Sequence, residues 1–100
     1  MKWLTLQEIK EHLGLEQDYT EEDNLLERYA RSSENRILNI LNRTKDELEE
    51  CYGEVPDDVV HASLLLVEQS YRHRSPGDVQ KEYEITYGFE AMVKPYIKLI

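Results

Sequence analysis

The stretch Val55 to Ser75, VPDDVVHASLLLVEQSYRHRS, constrains this chain more than any other. Pro56 suits a first helical position, and Asp57 and Asp58 complement the positive end of a helix dipole. Val59, Val60, Ala62, Leu64, Leu65, Leu66 and Val67 then place apolar side chains almost all round the axis. A helix apolar on most sides is enclosed by neighbours. This one is too short to cross a bilayer, so the enclosure is protein. Arg72, His73 and Arg74 lie at the negative pole, and Ser75-Pro76-Gly77 stops the helix. The expectation is a central helix over about 56–74 in a mainly α domain.

The rest of the chain supplies that helix with partners. Thr5-Leu6-Gln7-Glu8 has the capping-box pattern, Ile9 and Leu13 share a stripe, and Gly14 is a stop. Trp3 and Leu4 stand where a hydrophobic staple packs back. Thr20-Glu21-Glu22-Asp23 is a second helix-start signature. It opens a long helix over about 21–42, striped by Leu25, Leu26, Tyr29, Ala30, Ser33, Ile37, Ile40 and Leu41. Glu27, Arg28, Arg31, Glu34, Asn35 and Arg36 read as its solvated face. Thr44-Lys45-Asp46-Glu47 begins a short helix through Leu48, Cys51 and Tyr52 to Gly53.

The period changes beyond Gly77. Val79, Tyr83, Ile85 and Tyr87 fall on alternate positions, with Lys81 breaking the row, which predicts a short β-strand or extended arm near 79–87. The arm is bounded at about 78–88. Residues 96–100 are a weak second strand candidate. Gly88 and Phe89 open a short helix through Ala91, Met92 and Val93, closed by Pro95. The architecture expected is a small helical bundle, the central helix packed on the long one, in a single domain over 1–100. Core candidates are Leu25, Tyr29, Ile37, Leu41, Val60, Leu64, Val67 and Tyr71.

A domain of 100 residues buries roughly 60–65% of its unfolded surface, so association is a natural source of further stability. Acids outnumber bases by 21 to 12, a net charge of −9, the wrong sign for binding DNA by phosphate neutralisation. Either the acidity confers solubility alone, or it faces a polyanion that must slide past. Met1-Lys2-Trp3-Leu4 run into a helix signal without an apolar segment, so neither a signal peptide nor a membrane span is expected. Cys51 is the single cysteine, which excludes a disulfide within one chain and fits a reducing compartment. Its place beside Leu48 reads as a small buried hydrophobe.

Reactive groupings do not emerge. His61 and His73 are about 120° apart round one helix, and His12 lacks metal-ligand spacing. Gly-rich phosphate loops and nucleophile elbows are missing, and carboxylate pairs carry no weight in so acidic a chain. The expectation is no enzyme, no cofactor and no metal. Arg72-His73-Arg74 is the densest basic spot. It serves either the helix dipole, with a Glu68–Arg72 pair, or a contact onto an acidic neighbour such as Glu21-Glu22-Asp23. The tyrosines from Tyr83 to Tyr96 suit an interface or a core equally.

The order of elements is that of a known family. WLTLQEIKEHLGL, an acidic link, DNLLERYARSSENRILNILNR, the proline-initiated VPDDVVHASLLLVEQSYRHRSP and the closing YGFEAMVKPYIKLI together resemble the phage head–tail connector (adaptor) proteins. Tyr87 stands where that family commonly has proline before Gly-Phe. The resemblance implies a structural virion protein of a phage or prophage, assembled in the host cytoplasm. It would form a ring, dodecameric in the family, below the portal. The ring would extend the DNA channel without sequence-specific binding and dock the next head-completion or tail protein. Under that reading Arg72, Arg74, Tyr83, Ile85, Tyr87 and Tyr96 are candidates for subunit or portal contact. The alternative is a helical adaptor for an unrelated partner, joined by strand addition.

Overall fold

The computed structural model describes residues 1–72 and 91–98. Among the described residues the helices run in chain order α1 (Leu6–Leu13), α2 (Asp23–Leu41), α3 (Lys45–Tyr52) and α4 (Asp57–Arg72). Residues 91–93 are helical and pass into a 3-10 turn at Lys94–Tyr96. The expected β-strand or arm at 79–87, the helix stop at 75–77 and the opening at Gly88-Phe89 lie outside the described residues.

Local chemistry sets most of the helix ends. Thr44 caps α3 reciprocally: its hydroxyl accepts from Glu47 N at 3.1 Å, and Glu47 Oε1 accepts from Thr44 N at 3.2 Å. At α1 the box is half made. Thr5 Oγ1 accepts from Glu8 N at 3.2 Å, while its hydroxyl, in place of its amide, lies 3.1 Å from Glu8 Oε1. Leu4 and Ile9, the staple positions, share one apolar cluster. Helices α1 and α2 both end in Schellman turns with a left-handed residue, Gly14 at φ 76° and Asn42 at φ 55°. Helix α2, expected over about 21–42, runs Asp23–Leu41. Its N-cap is Glu22, which makes no side-chain cap, and Thr20 only closes a turn to Asp23 N at 3.3 Å.

Packing is an antiparallel pair, α2 on α4, with α1 laid across one end. The direction follows from two contacts. Tyr71, late in α4, donates to Glu22 at the start of α2, and Leu41, the last residue of α2, shares a cluster with Val59 of α4. One apolar cluster holds Ile37, Leu41, Leu48, Val59, Ala62, Leu66 and Val93. The other holds Leu4, Ile9, Leu13, Leu26, Ala30 and Val67. Each fully buried Leu, Ile or Val contributes about 1.5–3 kcal/mol. Trp3 packs against both clusters and donates Nε1–H to Ser63 Oγ at 2.9 Å, so its polar atom is satisfied.

Several expected core positions are only partly covered, and Tyr29, Val60, Leu64 and Tyr71 pack against the edge of the second cluster. Ile37, Leu41 and Val67 are buried, but Leu25, Tyr29, Val60, Leu64 and Tyr71 are half-buried. The buried line of α2 is Leu26, Ala30, Ser33, Ile37 and Leu41, and α4 is covered less completely than its composition implies, with His61 exposed. Cys51 is exposed, because α3 is two turns long and buries Leu48 alone. Of the weak strand candidate at 96–100, Tyr96 ends a 3-10 turn, Ile97 and Lys98 are in no strand, and residues 99–100 lie outside the described residues. Lys98 N donates to Leu41 O at 2.8 Å, which latches the segment after the turn to α2. The α-helical residues end at Val93, ahead of Pro95, which lies inside that turn.

Candidate functional site

Glu34, assigned above to the solvated face of α2, is 1% exposed. Its Oε2 accepts from the amides of Lys2, Trp3 and Leu4 at 2.9, 2.8 and 2.9 Å, and Oε1 accepts from Lys2 N at 2.9 Å. One carboxylate thereby satisfies three backbone donors that no helix or sheet serves, and charge-assisted bonds of this kind are the strong ones. Its signal in the sequence was spacing: Ala30, Glu34, Ile37 and Leu41 follow the helical stripe. Lys10 was missed too. It is 3% exposed, donates to Gln17 O at 3.1 Å, and lies 2.9 Å from Asp23 Oδ1 as a close ion pair without hydrogen-bond alignment.

Arg72 closes the other end of the bundle. Its Nε lies 3.1 Å from Glu68 Oε1, the pair expected one turn apart, and its Nη2 donates to Leu13 O at 3.1 Å. The same Glu68 holds His12 Nε2 at 2.9 Å through Oε2. The His12 ring meets His61 edge to face at 6.1 Å. Among the described residues no three His, Cys, Asp or Glu side chains come together to hold a metal ion. Tyr71 and Tyr19 both donate to Glu22 Oε1, at 3.0 and 2.8 Å. The hydrogen bond to that carboxylate, with some desolvation, pushes the Tyr19 phenol up to about 12.

Tyr96 is half-buried at the far end. Its hydroxyl donates to Asp58 Oδ2 at 2.9 Å, which raises the phenol above its usual value. Its ring meets Tyr52 edge to face at 5.3 Å, and Arg43 Nε donates to its carbonyl at 2.9 Å. Arg43 also places its guanidinium 5.9 Å from the Tyr52 ring centre. Of the candidate contact residues, then, Arg72 and Tyr96 tie helices together at opposite ends of the fold. Arg74, Tyr83, Ile85 and Tyr87 lie outside the described residues.

The pair of Lys98 Nζ and Glu47 Oε2, at 3.1 Å, gives a pH dependence. The lysine, and then the Thr44 amide, hold the Glu47 carboxyl below its ordinary 4.5. A folded value below the unfolded one stabilises at neutral pH, and the contribution is lost as pH falls below 4.5 through the folded value. The stability difference between wild type and Glu47→Gln therefore shrinks on acidification. Urea unfolding from pH 7 to pH 3 measures it, and an unchanged difference would contradict the assignment.

What these residues build is an all-helical unit, among the described residues, whose polar side chains fasten its own elements and assemble no reactive group. The chain matches the family model described as phage gp6-like head-tail connector protein over residues 4–100, and it belongs to that family. It is thus a structural phage protein of the head–tail junction. No curated protein and no solved structure gave a significant match. No helix among the described residues is long and apolar enough to cross a membrane.

Proposed function

We propose that the chain assembles as a ring, a dodecamer in the virion, below the portal of a phage or prophage head. There it extends the DNA channel and docks the next head-completion or tail protein. The family match over residues 4–100 carries this reading. The small core supports it, since a domain of this size gains stability when ring contacts bury more surface. Copies at −9 each give a strongly negative wall, against which phosphates find few counterion-releasing partners and can move. Tyr83, Ile85 and Tyr87 supply apolar contact between subunits or to the portal, with Arg74 and with Arg72 and Tyr96 at the ends of the bundle as further contacts.

Mixing the purified chain with purified portal tests the proposal. Electron microscopy is expected to show annular particles stacked on the portal, with a mass of several copies. A chain that stays monomeric in the presence of portal would overturn it.

A further inference from the structure

Every exposed residue of α2 is Arg, Asn or Ser. At 100° per residue they fill an arc of about 140°, opposite the buried line of Leu26, Ala30, Ile37 and Leu41. The acids of α2 are withheld from this face. Asp23 meets Lys10, Glu34 is buried on the N-terminal amides, and Glu27 is half-buried, 3.8 Å from Arg31. A chain of net charge −9 therefore presents one helix face whose only charges are positive: Arg28, Arg31 and Arg36. Lys2 joins them across Asn35, at 3.2 Å from its Oδ1. Arg28 and Arg36 have no ion pair among the described residues.

The complement is on the same chain. Residues 46–58 contain 7 acids and no Lys or Arg. Asp46, Glu49, Glu50, Glu54, Asp57 and Asp58 are exposed, and so is Tyr52, at 43%. Neighbours neutralise only part of this charge: Lys45 lies 3.9 Å from Glu49 and Lys98 takes Glu47, while Asp58 accepts only a neutral hydrogen bond from Tyr96. A cluster of exposed carboxylates suits arginine, which pairs with them through two parallel bonds; the Tyr52 ring among them already lies 5.9 Å from the guanidinium of Arg43.

We infer that the arginine face of α2 is the docking surface for the acidic corner, residues 46–58, of a second copy of this chain. The inference rests on the ring proposed above and names its subunit contact. The face and the corner share no residue, as the heterologous contact of a ring requires: each copy offers a face to one neighbour and a corner to the other. It also answers how subunits of like net charge associate, since local opposite charge meets at the joint while the excess acid lies elsewhere.

Charge reversal on each side tests it by sedimentation, with and without portal. Arg28→Glu with Arg36→Glu, and separately Glu50→Arg with Glu54→Arg, are each expected to raise the concentration for half-assembly by roughly tenfold or more. The chain carrying all four substitutions is expected to assemble like wild type. Circular dichroism checks that each variant is folded, and Arg28→Gln with Arg36→Gln replaces the first pair should it unfold. Wild-type mass in both one-sided variants would overturn the inference and leave the ring standing. A wild-type chain that never assembles on portal removes both. Duplex DNA binding that is lost in Arg28→Glu with Arg36→Glu, while assembly persists, would assign the face to DNA and overturn the inference.

Discussion

Glu34→Ala is expected to lower the stability of the folded chain by about 3 kcal/mol, a fall in Tm of about 10–20 °C for a domain of this size. The cause is specific. Three amides lose their acceptor at once, and that of Leu4 is in a fully buried bond. Glu34→Gln keeps the volume and one oxygen. That oxygen can take the Oε2 place, where Lys2, Trp3 and Leu4 donate, but an NH2 group then faces Lys2 N. Its cost is expected to be about half as large. Thermal unfolding gives the size of the effect. Hydrogen exchange gives its location, because the amides of residues 2–4 should lose protection before the helices do. A Glu34→Ala variant within about 0.5 kcal/mol of wild type would mean that water replaces the carboxylate at little cost.

Leu26→Ala is expected to cost about 2–5 kcal/mol, and Leu25→Ala, one residue away, about 1 kcal/mol. Leu26 is fully buried among Ile9, Leu13 and Val67, whereas Leu25 is half-buried. Denaturant unfolding of the two variants side by side decides between them. Equal losses would place the edge of the core a full residue further round α2. The comparison bears on how far pattern alone reaches, because a helical period accommodates either leucine as the centre of the stripe.

That ambiguity shows where the sequence stopped being legible. Helix starts and stops were readable wherever a short-range group completes them, as at Thr44 with Glu47 and at Gly14. The start of α2 was not readable in this way, because its N-cap is Glu22 and no side chain caps it. Tyr29 beside Ala30 repeats the Leu25–Leu26 problem: which neighbour faces inward depends on where α1 lies, which is tertiary information. Glu34 lay on the apolar spacing, yet a charged residue at such a position reads as solvated until the amides of residues 2–4 are seen around it. Arg72 against Leu13 and His12 against Glu68 join positions far apart in the chain, and no local pattern encodes either. The family resemblance was legible across nearly the whole length, because it rests on the order of elements, which survives these local uncertainties.

The chain has a single tryptophan, and that residue sits against both apolar clusters. Its indole is therefore an internal gauge of the entire bundle. If either half loosened by itself, the ring would be wetted and its emission would move to the red. One fluorescence trace can thus reveal whether the two halves melt as a unit, with no dye attached and no residue replaced.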